Sequence, residues 1–220
     1  MLSTSEENYL KALYKIAQVK GNPVSTNDLA DELSTSAASV TDMIKKLFEK
    51  KLVDYQRYQG AVLTSEGGRL ATELVRRHRL WECFLVEKLG YGWDEVHDLA
   101  EQLEHIKSVD LVDRLEEYLQ FPRFDPHGDP IPDRHGKFTI RSQQLLCNLS
   151  QGDRAEVVGV ALHDSQFLRF LGEMHLEIGC VLEVLEVFEY DSSMRIHIVP
   201  DTKTLISSIL SKNIYVKKYS

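Results

Sequence analysis

Four of the six prolines in this 220-residue chain fall between Phe121 and Lys137, at Pro122, Pro126, Pro130 and Pro132. Proline lacks an amide proton and fixes its own φ, so no regular helix interior or central strand runs through this stretch. It divides the chain. Before it, apolar residues recur at helical spacing; after it, they alternate in short runs. The stretch reads as an extended linker, with Asp125-Pro126-His127-Gly128-Asp129-Pro130 forming turns. His127 and His135 lie in it, and nothing in their spacing assigns them a role.

Upstream, Thr4-x-x-Glu7 reads as a capping box for a helix over residues 5–19, which stops at Gly21-Asn22-Pro23. Ser25 caps a second helix through Leu33, and Ser34-Thr35-Ser36 makes a turn. A third helix starts near Ser36 and carries Val40, Met43, Ile44, Leu47 and Phe48 inward. Short strands over 52–56 and 61–64 flank the turn Arg57-Tyr58-Gln59-Gly60. Helix, helix, turn, helix, hairpin is the order of a winged helix-turn-helix. A long helix follows over 65–88, with Leu70, Leu74, Trp81, Phe84 and Leu85 available for packing. Trp81, Phe84 and Trp93 suit either a core or a dimer seam.

The next helix, expected from near Trp93, carries His97, Glu101, Glu104 and His105. At the helical angle per residue these four metal-binding types span an arc of about 100°. Val96, Leu99, Leu103 and Ile106 occupy the opposite side as a core stripe. His78 and Glu82 repeat the i, i+4 spacing one helix earlier. A solvated polar face explains charged residues alone; histidines in register with glutamates point instead to divalent metal. The apolar stripe changes register after Lys107, which implies a break near residues 108–110 and a new helix to Leu119.

Net charge is −8, unevenly spread. Residues 43–80 hold nine Lys/Arg against four acids, and residues 81–135 hold five against fourteen. A phosphate-facing surface beside a cation-binding one has this pattern. The three cysteines are scattered with no CxxC, which argues against a thiolate zinc cluster, suits a reducing cytosol, and reads as three buried small apolar residues. No apolar run approaches a membrane span and no signal peptide is evident, so a cytoplasmic protein is expected. Beyond the linker, strands over 155–160, 181–188 and 195–199, a short helix over 164–171, and turns at Ile178-Gly179 and at 190–193 fit a small β-barrel over 149–220. The boundaries expected are 1–64, 65–137 and 138–220.

Several segments carry a family resemblance: Ser5-Glu6-Glu7-Asn8-Tyr9-Leu10, Arg77-His78-Arg79-Leu80, Val96-His97-Asp98 with Glu104-His105, and Gly128-Asp129-Pro130-Ile131-Pro132. With them the whole chain resembles the metal-dependent repressors related to the diphtheria toxin repressor, the iron-dependent regulators and the manganese transport regulators. Leu168-Arg169-Phe170-Leu171-Gly172-Glu173 is similar to the SH3-like domain of ferrous-iron-transport accessory proteins. The resemblance implies a mainly α fold with a small β part: an N-terminal winged helix-turn-helix, a helical dimerisation domain and a C-terminal SH3-like β-barrel. It implies a primary metal site on Asn8, Glu101, Glu104 and His105. It implies an ancillary site on His78, Glu82 and His97, completed by His163 and Gln166. The chain departs from the family at four positions. Asn8 replaces Met or Asp, Glu101 stands where the iron-sensing branch has Cys, and His163 replaces Glu. Lys11 stands where manganese members place a second carboxylate, which favours two separate sites over a binuclear one.

Oxygen and imidazole ligands suit Mn²⁺ or Fe²⁺, and Glu101 in place of a soft thiolate tips the expectation slightly to Mn²⁺. The same groups hold Co²⁺, Ni²⁺ or Zn²⁺ in vitro by the Irving–Williams order. On the DNA side, Ser36, Ala37, Ala38, Ser39, Thr41 and Asp42 occupy the part of the third helix that meets base edges in this motif. They permit close approach but offer no Arg or Asn pair for bidentate reading. Backbone contacts from Lys45, Lys46, Arg57 and the helix N-terminus then carry affinity, with marked salt dependence; Lys45 and Lys46 equally suit a solvated face. The expectation is a homodimeric, metal-activated repressor of metal-ion uptake acting on double-stranded operator DNA, with no catalytic residues. The rivals are a di-metal carboxylate enzyme and a metal-independent winged-helix regulator.

Overall fold

Ser3, not Thr4, opens the first helix. In the computed structural model, which describes residues 2–56 and 59–219, Ser3 Oγ accepts from the Glu6 amide and Glu6 Oε2 accepts from the Ser3 amide. The capping box therefore sits one residue earlier than the spacing predicts, and α1 spans Thr4–Lys20. Gly21, at φ 84°, ends it. Ser25 caps α2 (Thr26–Glu32) and Ser36 caps α3 (Ala37–Glu49). The strands β1 (Val53–Gln56) and β2 (Gly60–Leu63) pair antiparallel from Val53↔Leu63 to Gln56↔Gly60. Arg57 and Tyr58, and with them the wing-tip expectation for Arg57, lie outside the described residues.

The chain divides into two compact units: residues 1–78, 101–113 and 132–138 form one, and 79–100, 114–131 and 139–220 the other. The helices α4 (Ser65–Leu89), α5 (His97–Leu103) and α6 (Val109–Tyr118) each contribute to both. The first unit is built on Leu10, Leu13, Ile16, Leu29, Val40, Ile44 and Leu47, so one face of each of α1–α3 is dry. Phe48, expected inside, is 51% exposed, one position past the stripe that Val40, Ile44 and Leu47 define. Gly67 is required where α4 meets the hairpin, because a Cβ there would lie 1.9 Å from the Leu52 carbonyl oxygen.

The array helix is shorter than predicted. Only His97–Leu103 is helical, and Glu104 and His105 occupy the turn that follows. Its buried side is Val96, Ala100 and Glu104; Leu99 and Leu103 are half-buried and Ile106 is 38% exposed. Of the expected core stripe Val96 alone is thus fully buried, while Glu104, expected on the opposite side, is drawn inward by polar partners described below.

In the second unit β3 (Gln144–Leu145), β4 (Arg154–Val160), β5 (Val181–Val187), β6 (Met194–Ile198), β7 (Thr202–Ile206) and β8 (Ile214–Lys218) form one antiparallel sheet, ordered β3-β8-β4-β5-β6-β7. The helix α7 (Ser165–Glu173), capped by Asp164, packs Leu168 and Leu171 on its core, and a single turn, α8 (Ser208–Ser211), precedes β8. Three strands were not legible. β3 is two residues long, β7 buries only Ile206, and β8 buries Ile214 and Val216 ahead of the exposed Lys217 and Lys218. Of the cysteines, Cys83 is buried as expected, whereas Cys147 and Cys180 are only half-buried.

Candidate metal centre

Each unit holds its own cluster of ligand-type side chains. In the first, α1 presents Glu7 and Lys11 toward residues 101–105. Lys11 Nζ lies 2.5 Å from Glu101 Oε1 and 2.7 Å from both oxygens of Glu104. Glu104 is fully buried and its Oε2 also meets His78 Nδ1 at 2.6 Å. His105 Nδ1 lies 2.7 Å from Glu7 Oε2, and Lys107 Nζ is 3.2 Å from Glu7 Oε1. Burial raises the Glu101 carboxyl, but the Lys11 ammonium outweighs it and holds the group below the usual carboxylate range. Asn8 Oδ1 is buried with no hydrogen-bond partner among the described residues. A buried carbonyl oxygen without a donor is costly unless something electropositive meets it.

The second cluster joins Glu82 of α4 to Asp125 and His127 of the proline-rich segment, all three buried, with ligand atoms mutually within 4.8 Å. Asp125 Oδ1 accepts from the amides of His127 and Asp129, which folds the segment into a tight turn. Gly128, at φ 88°, lets this turn press on β4; a Cβ there would stand 2.1 Å from the Val158 carbonyl oxygen. The Val160 amide donates to the His127 carbonyl, anchoring the turn to the same strand. The His127 ring is 1% exposed, stacked between Trp93 and His163, with centroids 6.1 and 4.8 Å away.

His127 Nε2 donates to the Trp93 carbonyl at 2.8 Å, which leaves Nδ1 facing Glu82 Oε1 at 3.8 Å with no hydrogen-bond partner. An imidazole pinned through one nitrogen with the other turned to carboxylates is how proteins aim a histidine at a metal. His97 Nδ1 is 3.5 Å from the same Glu82 oxygen. With protein groups alone, the cluster favours an extra proton. Burial lifts Asp125 to about 7, Glu82 and Asp129 adding to it and Arg79 and His127 opposing it. Burial by itself lowers His127, but Glu82 and Asp125 override this and raise it to about 9.

The candidates from sequence are thus distributed as follows. Glu101, Glu104 and His105 come together in the first unit with Glu7, Lys11 and His78; Asn8 lies beside Glu7 on α1 with its Oδ1 buried. Glu82, His97 and His163 come together in the second, His163 through its ring and a 4.0 Å approach of Nε2 to Asp129. Gln166 is exposed in the first turn of α7, its amide bonded to Asp164. Asp125 and His127 were missed. The one signal was an Asp-x-His-Gly in a segment too short of apolar residues to bury a histidine for packing alone. On the DNA side, Ser36 at the N-cap and Ala37, Ala38, Ser39, Asp42 and Lys45 of α3 are exposed, and Thr41, half-buried, bonds back to the Ala37 carbonyl. Asp42 and Lys45 pair at 3.4 Å.

Residues 1–61 match the iron dependent repressor N-terminal DNA binding domain, and residues 64–133 match the iron dependent repressor metal binding and dimerisation domain. The chain belongs to the iron-dependent repressor family. Residues 144–218 match the FeoA domain. The chain is 33% identical over 131 residues, 60% of its own length and 89% of the relative's, to an HTH-type transcriptional regulator MntR of Listeria monocytogenes. A solved manganese-dependent transcriptional repressor in complex with manganese shares 36% identity at TM-score 0.87, covering 97% of this chain and all of that one. The manganese regulator SloR shares 32% at TM-score 0.73, covering 97% and 98%. Membership makes this protein a metal-dependent transcriptional repressor and disposes of the di-metal enzyme reading. The residues fit such a metal: buried carboxylates, imidazoles, and two buried atoms, Asn8 Oδ1 and His127 Nδ1, without a hydrogen-bond partner among the described residues.

Proposed function

We propose that the chain is a cytoplasmic, homodimeric repressor of metal-ion uptake genes whose corepressor is Mn²⁺, with Fe²⁺ second. One observation carries this reading. The ligand-type residues of the first unit are also the residues that tie α1, the first helix of the DNA-reading head, to the segment 101–105. Asn8, Glu101, Glu104 and His105 would hold the ion there; Glu82, Asp125, His127 and His97 would hold a second. A bound divalent cation would supply two positive charges where the Lys11 ammonium supplies one to Glu101 and Glu104, and would add the neutral donors Asn8 and His105 to the tie. The chain's own part is to convert that neutralisation into a fixed angle for α1–α3, so that two recognition helices match two half-sites. Moving such an equilibrium from 1:99 to 99:1 takes about 5.5 kcal/mol of differential binding.

All-oxygen and imidazole donors favour Mn²⁺, and the relatives named for manganese point the same way. Co²⁺, Ni²⁺ and Zn²⁺ would bind in vitro. For DNA, Ser36, Ala37, Ala38, Ser39, Thr41 and Asp42 would approach the bases, with Lys45 and Arg57 on phosphates. For the dimer, α4 and α6 offer a half-exposed aromatic face: Trp81 meets Phe84 edge-on at 5.8 Å, and Phe84 meets Tyr118 at 6.3 Å. Trp93, the third candidate for the seam, instead stacks on His127. Functional boundaries at 1–64, 65–137 and 138–220 follow this division of labour. No described helix is long and apolar enough to cross a membrane. Gel-shift titration with Mn²⁺ and Fe²⁺, wild type against Glu104→Ala, tests the reading. Metal-stimulated operator binding that Glu104→Ala abolishes is expected; equal binding by both proteins with and without metal overturns it.

A further inference from the structure

In the first unit the position nearest both acidic candidates is taken by a cation the chain itself supplies. Lys11 is 5% exposed, and its ammonium contacts three carboxylate oxygens of Glu101 and Glu104 at 2.5 to 2.7 Å. Two carboxylates, one of them fully buried, would otherwise face each other without a cation in contact with both, an arrangement disfavoured in a low-dielectric interior. The ammonium cancels one of the two charges and ties α1 to residues 101–105 by itself. We propose that Lys11 is a built-in rival for the corepressor: it pre-assembles the α1 clamp without metal and sets metal affinity low, because a divalent ion gains Glu101 and Glu104 only as the ammonium leaves them. The proposal rests on the primary-site reading above. It assigns Lys11, which carries no ligand atom toward a cation, the role of a positioning and affinity-setting residue.

The test compares wild type with Lys11→Met and Lys11→Arg in the full chain. It uses Mn²⁺ titration calorimetry and amide exchange of α1 in chelator. Lys11→Met is expected to tighten Mn²⁺ binding about tenfold or more, since one competing unit charge is removed within hydrogen-bonding distance. It is also expected to speed exchange across α1 in metal-free protein, with protection restored by Mn²⁺. Lys11→Arg keeps the charge and is expected to keep the slow exchange and the weak affinity. Unchanged or weaker Mn²⁺ binding by Lys11→Met, with α1 exchange as in wild type, overturns the proposal. Should Lys11→Met fail to fold without metal, the comparison passes to Glu101→Gln. That variant removes one carboxylate from the ammonium and is expected to speed α1 exchange; unchanged exchange there also overturns the proposal. Failure of the underlying reading looks different: wild type itself takes up no Mn²⁺ at the first cluster.

Discussion

His127 shows how much one side chain's meaning depends on its surroundings. Isolated in a proline-rich stretch it has no assignable role; folded, it is walled by Trp93 and His163, pinned through Nε2, and turned to Glu82 through Nδ1. His127→Ala should lower the number of Mn²⁺ ions bound per chain by one, as read by elemental analysis after desalting. Affinity at this cluster should fall at least about 10- to 100-fold, the loss that even an outer partner's removal causes. A pH dependence follows for the metal-free protein. His127 is raised from 6.5 to about 9, so its contribution is complete below pH 6.5 and lost as pH rises through 9. Asp125, raised from 3.8 to about 7, also binds more proton folded than unfolded, so stability falls across that window too. Urea denaturation in chelator should show stability decreasing from pH 6 to 9.5, and saturating Mn²⁺ should restore it at the alkaline end. A flat profile would contradict this account of the cluster. Glu101, Glu104 and His105 were legible because, with His97, they fall on one face at helical spacing; Asn8, on another helix, came only from the family resemblance. Asp125 was not, because a turn rather than a periodic element positions it.

Elements were legible where capping chemistry and periodicity agree. Ser25, Ser36 and Gly21 mark ends that the structure keeps. At the start of α1 the sequence reads as a Thr4-x-x-Glu7 box, and the structure forms the overlapping Ser3-x-x-Glu6 box instead. The array helix fails the periodicity argument for a clear reason. The pattern continues through Glu104 and His105 while the hydrogen-bonded helix stops at Leu103. Leaving the helix lets Glu104 point inward, where Lys11 and His78 receive it. The linker's turn is the other decisive element. Gly128→Ala places a methyl against the Val158 carbonyl at a φ that L-residues rarely adopt. It should cost about 2–3 kcal/mol or more in urea denaturation and weaken Mn²⁺ binding at Glu82, Asp125 and His127 with it. Normal stability with normal stoichiometry would mean that the turn shifts freely and does not set the cluster.

For the molecule as a whole, the question is how a charge placed in one unit reaches DNA. The aromatic face of Trp81, Phe84 and Tyr118 is the candidate for joining two chains, Tyr118 being 61% exposed. Phe84→Glu should weaken the dimer enough to give monomer at micromolar concentration in sedimentation velocity, and lose operator affinity while each chain still binds Mn²⁺. A dimer undisturbed by this charge would move the seam elsewhere. The sequence alone determined the order of elements up to the proline-rich segment, the family, and the donor chemistry of the helical part, because caps, prolines, periodic apolar faces and ligand residue types are local properties. Tertiary structure alone decided which donors meet. Glu104 turns inward, Lys11 joins Glu101, and a linker histidine is buried against a carboxylate of α4. Those pairings link residues up to 93 positions apart, fixed by burial and charge neutralisation, which no local pattern encodes.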